Sequence, residues 1–454
     1  MSIVLIASAC VATGIAVRLL RRLPRLAFAA TLLGAGSISA LLAAAPSQSG
    51  YFLGRPLALE PGARVWLGSA LGAASALALF APLTFERASN APASAVANSQ
   101  GAFFFWALAA FVIAIGIGSF PLAVFAWAIG LIVLMLAAQP QNEGRVGGAG
   151  QFLLLIVIAS ACLLLAHRFF EMYPLTPENL ELPRDAAIFL ALGFGLLLAA
   201  APLHIWLGPL ADESSPLGIA FLVGVAQSVG AWLLLQQMSD VNWLVTRSPW
   251  LGVLMWGGTL TAPLGAGLAL SERRDARGLA YLSLIPLGHA LIGLGLGTRL
   301  ALAGALLALT NRAWGGALVA GGMILARHHP ERRWQRVSAG AILLGGMALA
   351  GIPPLLGFAA NYSIYRDLGS VNPTLLAVLL GSNALAVLAV LRMVWRIVAE
   401  PVETNEPSQE VKVIPYFCVV VALALLAVLT GAGISPQFLT DPMMESLGAA
   451  GYLK

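Results

Sequence analysis

Lysine is almost missing from this chain: its 454 residues hold two, Lys412 and Lys454. Charged residues of both signs reach 10%, against about 25% in a soluble domain. That shortage excludes a soluble globular protein, and 59% hydrophobic residues with a mean hydropathy of +0.88 say what stands in its place. Cysteine is sparse too. Cys10, Cys162 and Cys418 sit singly in apolar runs, a spacing that supports neither a disulfide framework nor a metal site and leaves small core residues. No flavin, iron–sulfur or quinone-site signature is present, so no cofactor is expected. The pI near 9.4 comes almost wholly from arginine. In a membrane chain it reports topology, and no nucleic-acid partner is expected.

Long apolar runs are what the chain does have. A helix needs roughly 20 apolar residues to span the hydrocarbon core, and fourteen such spans are expected, near 2–19, 25–45, 64–83, 102–118, 119–137, 150–166, 187–208, 215–236, 249–270, 278–297, 300–325, 337–365, 374–398 and 413–431. The 102–137 region could be divided differently. The first run ends in an arginine cluster without a small-residue cleavage site, which marks a retained helix rather than a signal peptide. Loops after odd-numbered spans carry 16 basic residues (Arg18, Arg21, Arg22, Arg25, Arg87, Arg145, Arg273, Arg274, Arg277, Arg327, Arg332, Arg333, Arg336, Arg392, Arg396 and Lys412). Those after even-numbered spans carry 7: Arg55, Arg64, Arg168, Arg184, Arg247, Arg299 and Arg366. The positive-inside rule puts the odd loops in the cytoplasm and both termini on the non-cytoplasmic side.

Two spans are interrupted. Span seven meets Pro202 and continues as Leu203-His204-Ile205-Trp206-Leu207; span twelve meets Pro353 and Pro354 and resumes as Leu355-Leu356-Gly357-Phe358. Proline removes a donor and frees a carbonyl, which in lipid must find another partner. Two broken helices five spans apart suggest internal repeats around a mid-membrane polar site.

Three stretches narrow the class. The first is Pro202-Leu203-His204-Ile205-Trp206-Leu207, followed by Ser215-Pro216 and Gly230-Ala231-Trp232-Leu233-Leu234-Leu235. The second is Asp275-Ala276-Arg277-Gly278-Leu279-Ala280-Tyr281-Leu282-Ser283, with Gly288 and then Asn311-Arg312-Ala313 downstream. The third is Ala348-Leu349-Ala350-Gly351-Ile352-Pro353-Pro354-Leu355-Leu356-Gly357-Phe358. In order and spacing, over roughly residues 100–400, these resemble the antiporter-like subunits of complex I, shared with Mrp-type antiporters and membrane-bound hydrogenases. The family patterns are PLHxWLP, KxGxYxLL after a serine/threonine-proline segment, DxKRLLAYSS, NHAxxKA and LAGIPPLxGFxxK. Leu391-Arg392-Met393-Val394 is similar to the subunit type nearest the quinone end, and the chain is expected to lack the lateral helix of the most distal type.

The resemblance implies an all-α polytopic fold with two inverted five-helix repeats and broken helices seven and twelve. Residues 1–100 would form spans one to three, 101–236 and 237–400 the two repeats, and 401–454 a loop with the last span. It also implies a mid-membrane axis of lysines and a glutamate, costly in lipid and kept for function. Here those positions are neutral. The span-five glutamate falls on Ala128, the span-seven lysine on Leu197, and the span-eight lysine on Ser228, with Gln227 beside it should the register slip by one. The span-eleven lysine falls on Gly316 and the span-twelve lysine on Asn361, while Asp275 and Arg277 of DxKR survive. Alanine and leucine carry no proton; serine and asparagine hydrogen-bond but do not titrate near neutral pH. What remains is a polar axis of His289, Asn311 and Arg312.

Arg312 reads either as a fixed charge that blocks or steers cations or as an arginine that snorkels along a shifted helix. His289 is a relay or a packed core histidine. His204 and Trp206 are expected at a membrane interface, Pro353 and Pro354 as structural, and Glu171, Glu178, Glu181, Asp185, Arg168 and Arg184 as a charged loop. The expected function is a membrane-arm subunit of a complex I-like proton-translocating oxidoreductase, itself impaired in or incapable of proton transfer, in a bacterial inner membrane. Its partners would be other membrane subunits, the lipid bilayer and, indirectly, redox subunits. The alternative is a subunit of a cation/proton antiporter or bicarbonate-uptake system with an altered polar axis.

Overall fold

The computed structural model describes residues 2–20, 23–45, 50–52, 55–81, 100–137, 147–179, 181–329, 331–399 and 414–447. Arg21, Arg22, Arg87, Arg145, Lys412 and Lys454 lie outside the described residues. The chain is nearly all helical, and a helix lies at each expected span. In order these are α1 (Ser2–Leu19), α2 (Pro24–Ala44), α3 (Pro61–Phe80), α4 (Gln100–Gly116), α5 (Phe120–Ala137) and α6 (Gly147–Met172). Span seven is α7 (Glu181–Leu198) with α8 (Leu207–Glu213), followed by α9 (Pro216–Asp240). Then come α10 (Trp250–Ser271), α11 (Asp275–Leu296) and α12 (Arg299–His328). Span twelve is α13 (Arg332–Leu349) with α14 (Leu356–Val371), and α15 (Pro373–Ala399), α16 (Ile414–Ile434) and α17 (Gln437–Leu447) complete the series.

Among the described residues eight helices are long and apolar enough to cross a membrane, and α1, α4 and α5 are shorter apolar ones. The expected spans outside this group are seven, eleven and twelve. Two of these are broken, and the third, α12, carries Asn311 and Arg312 in its middle. One feature was not expected: the antiparallel hairpin of β1 (Gly50–Phe52) and β2 (Arg55–Leu57) between α2 and α3. It satisfies backbone groups of that connection, and Ala58 N–H donates to the Gly116 carbonyl at 3.1 Å.

Helices buried all round form the centre. The apolar stretches of α9 and α11 are 94% and 89% buried, against 22% for α2 and α16, whose outer faces are left for lipid or other protein. Small residues let the central backbones meet. A Cβ on Gly288 of α11 would stand 2.6 Å from the Ala262 nitrogen of α10, so only glycine fits there.

The two breaks share one geometry. α7 stops at Leu198, four residues before Pro202, rather than running up to the proline as the sequence suggested. Ala199 takes φ 60°, its N–H reaches the Leu196 carbonyl, and the Ala200 N–H reaches Gly195 at 3.0 Å. This paired closure with a left-handed residue after the last turn is a Schellman motif. α13 ends likewise: Gly351 has φ 76°, its N–H donates to Ala348 at 3.0 Å, and the Ile352 N–H donates to Met347 at 3.0 Å. The left-handed residue precedes Pro202 in one case and Pro354 in the other by the same three positions. Each broken helix is also the fourth of a five-helix series, α4 to α9 and α10 to α15. Five crossings invert direction, as inverted repeats require.

Candidate functional site

Breaking a helix leaves carbonyls unpaired, and the side chains that take them define the interior. At the first break Trp206 Nε1–H donates to the Leu196 carbonyl at 2.8 Å, and Gln227 Nε2–H donates to the Leu197 carbonyl at 2.8 Å. The Ala201 N–H donates to Thr261 Oγ1 at 2.9 Å. Three uncharged side chains thus seal the break. Trp206 is 2% exposed, buried within the protein, and stacks on Phe152 with ring centroids 4.1 Å apart.

Ala128, Leu197 and Ser228 converge on this seal. α9 changes to a wider π turn over Phe221–Ala226, immediately before Gln227, and such turns free carbonyls. Trp127, beside Ala128, donates from Nε1 to the Ala226 carbonyl at 2.9 Å, and its ring fills the place of a Cβ on Gly230. Trp66 Nε1 reaches the Ser228 carbonyl at 3.2 Å and stacks on Trp232 at 5.4 Å. Ser228 Oγ donates back to Gly224 of its own helix. Ala128 and Leu197 are thus buried in apolar packing beside indole rings, and the buried Ser228 hydroxyl is spent on its own helix.

At the second break Asn311 Nδ2–H donates to the Ala348 carbonyl at 2.8 Å. Asn361 lies against the left-handed turn, its Nδ2 2.1 Å from where a Cβ of Gly351 would be. Pro353 stands where Ala201 stands in the first break, so there is no N–H to satisfy. A directional chain lies close by. Asn383 Nδ2–H donates to the Tyr365 oxygen at 2.7 Å, and Tyr365 O–H donates to His289 Nε2 at 2.8 Å. His289 Nδ1–H donates to the Ile285 carbonyl at 2.8 Å, which fixes the neutral tautomer. Tyr365 and Asn383 were not among the expected residues. A sequence signal existed for one of them: Tyr365 follows Asn361 by four, the same face of a helix.

Arg312 is fully buried, so it does not snorkel. Its Nη2 reaches Ser283 Oγ at 3.4 Å, the outer limit of a hydrogen bond, at the turn that interrupts α11. Its Nε and Nη1 have no protein partner among the described residues. One turn on, Gly316 is buried, yet a Cβ there would meet nothing within 4 Å. Among the described residues Oδ1 of Asn311, Oδ1 of Asn383 and Oε1 of Gln227 are likewise buried without a partner.

Charge gathers at one end of the bundle. Asp212 of α8 pairs with Arg274 at 2.6 Å and with Arg277, which also meets Glu272 at 3.6 Å; Asp275 pairs with Arg396 at 3.2 Å. Glu213 accepts the Gly148 and Ala149 N–H groups at 2.7 and 2.9 Å, capping α6. These bonds tie the broken helix to α6 and α11, and α11 in turn to α15. Burial pushes the Glu272 carboxyl up, but the Arg274 and Arg273 N–H groups and the Arg277 guanidinium outweigh it and hold it below the usual range.

Residues 121–386, more than half of the chain, match the family model described as NADH:quinone oxidoreductase/Mrp antiporter, TM. The chain belongs to this family. Among curated relatives it is 32% identical over 240 residues to NAD(P)H-quinone oxidoreductase subunit 5, chloroplastic, of Marchantia polymorpha, covering 48% of this chain and 33% of that one. It is 30% identical over 231 residues to NADH-quinone oxidoreductase subunit N of Desulforudis audaxviator, covering 46% and 44%. The chain thus spans less than half the length of these relatives. In fold it is similar to a chain of the Mrp complex from Dietzia, with TM-score 0.81 and 18% identity over 100% of this chain and 53% of that one. It is also similar to a chain of respiratory complex I from Thermus thermophilus, with TM-score 0.79 and 19% identity over 99% and 100%. It is an integral membrane protein, homologous to antiporter-like membrane subunits of complex I.

Proposed function

We propose that this chain is a membrane-arm, antiporter-like subunit of a complex I-like proton-translocating oxidoreductase, and that it carries structure or coupling between neighbours without relaying protons itself. The observation that carries this reading is the sealing of both helix breaks by uncharged groups: Trp206, Gln227 and Thr261 at the first, Asn311 at the second. A relay needs groups that gain and lose a proton near neutral pH, and Ala128, Leu197, Ser228, Gly316 and Asn361 supply none. Arg312, a fixed buried cation, adds a barrier to any cation on the axis. The breaks themselves persist because the Schellman closures and prolines hold them, independent of ion passage.

Residues 101–236 and 237–400 form the two repeats in this reading, with other membrane subunits beside them and redox chemistry on partners. The arginine distribution supports both termini on the non-cytoplasmic side, and the host membrane in this reading is a bacterial inner membrane. Purifying the native assembly under mild detergent and identifying its chains tests this. Redox subunits are expected to co-purify; recovery as an isolated, active transporter contradicts it. The alternative, a subunit of a cation/proton antiporter or bicarbonate-uptake system, is favoured by one observation, the His289–Tyr365–Asn383 chain. Small antiporter partners in place of redox subunits are its expected outcome.

A further inference from the structure

Four arginines face a pocket of about 640 Å³ at one end of the bundle, away from both helix breaks: Arg273, Arg327, Arg392 and Arg396. Asp275 is the one carboxylate that lines it among the described residues. The pocket lies where the start of α11, the end of α12, the start of α13 and the end of α15 come together, which is a membrane boundary of these helices. Its arginines are partly built in. Arg396 donates to the Arg273 carbonyl and pairs with Asp275 at 3.2 Å, while Arg392 donates to the Leu270 carbonyl. Asp275 thereby neutralises Arg396 alone. Among the described residues no carboxylate pairs with Arg273, Arg327 or Arg392, so three guanidinium groups keep their charge toward one space.

The rim is of a different character. Trp395 is 71% exposed beside the pocket, on α15, a helix only 28% buried over its apolar stretch. Ile397, half-buried, adds apolar surface there, and the buried Met323 backs the inner wall. A tryptophan of this kind sits at the level of lipid headgroups. Planar guanidinium forks match phosphate oxygens two at a time. A soluble anion would use the arginines but not the apolar flank; an acidic protein segment would use the charge but not the open way down α15. An anionic phospholipid uses both.

We propose that this pocket binds the phosphate of an anionic phospholipid headgroup, with the acyl chains lying along α15. The test uses the full-length protein in neutral detergent, titrated with phosphatidylglycerol, phosphatidylcholine or inorganic phosphate and read by native mass spectrometry. Phosphatidylglycerol is expected to bind at least about tenfold more tightly than phosphatidylcholine, from three uncompensated arginines at a membrane surface. The combined Arg273→Gln, Arg327→Gln and Arg392→Gln protein is expected to bind both lipids alike. Lysine at the same three positions should retain the preference, which separates lost charge from lost folding. Equal binding of the two lipids by the wild type overturns the proposal, as does a preference untouched by glutamine. Displacement of phosphatidylglycerol by equimolar inorganic phosphate also overturns it and makes this a soluble-anion site. Residues 400–413 hold Glu400, Glu403, Glu406 and Glu410. Lipid binding seen only after these become glutamine assigns the counter-charge to the chain's own acidic segment and rejects the proposal.

Discussion

Gly351→Ala is expected to destabilise the protein by an amount the second break defines. Gly351 sits at φ 76°, where a left-handed residue with a Cβ costs about 1–2 kcal/mol. The reduced freedom of the unfolded chain returns about 0.4–1 kcal/mol of this. The larger effect is steric. The new Cβ would stand 2.1 Å from Asn361 Nδ2, 3.1 Å from its Cγ and 3.4 Å from Asn383 Nδ2. Asn361 must swing away in a packed interior, and such overpacking costs about 1–3 kcal/mol. The net loss is about 1–5 kcal/mol. Ala199→Gly is the matched control, because Ala199 holds the same place in the first break at φ 60°. Removing its Cβ relieves strain and should leave stability unchanged or slightly higher. Thermal midpoints of both variants in lipid nanodiscs provide the assay. A Gly351→Ala midpoint equal to wild type, or an Ala199→Gly loss as large as that of Gly351→Ala, refutes the equivalence of the two breaks.

Gln227→Leu should cost about 1–3 kcal/mol, because it leaves the buried Leu197 carbonyl without a donor; the same nanodisc melting measurement checks it. Arg312→Met should be neutral or stabilising by about 1–4 kcal/mol, since it removes a fully buried charge held by one long contact to Ser283. A clear drop in its midpoint means that Arg312 has a stronger partner than Ser283. Glu272 bears on pH. Its folded carboxyl titrates below the unfolded value of about 4.3, so its stabilisation is complete above that value and is lost as pH falls through the folded one. The melting midpoint should decline as pH is lowered below about 4.3, less steeply in Glu272→Gln, and an identical pH profile for the two proteins rejects this assignment.

Much of the architecture was legible because membrane helices announce themselves by length and polarity, and prolines mark where they break. The arrest of α7 at Leu198 was not legible. The proline explains a break near residue 202, but the left-handed closure at Ala199 is local backbone geometry with no side-chain signature. Gln227 was noticed only as a register alternative to Ser228; its bond to Leu197 depends on the π turn that precedes it, which no residue pattern marks. Tyr365 and Asn383 meet His289 through packing of α11, α14 and α15, across 76 residues in the Tyr365 bond. Asp212 and Glu213, which tie α8 to α11 and α6, lie in the short connection between spans seven and eight, where the sequence pattern suggests no role for them.

Proton flux through the purified chain is the most direct measurement of the neutral-axis reading. Proteoliposomes with an internal pH dye and an imposed potential should acidify no faster than empty vesicles. The triple variant Leu197→Lys, Ser228→Lys and Asn361→Lys places titratable groups back at three of the neutral positions and shows whether the scaffold can respond. A wild-type flux above the empty-vesicle rate that is abolished by Tyr365→Phe would contradict the reading, because it would mean that the His289–Tyr365–Asn383 chain relays protons after all.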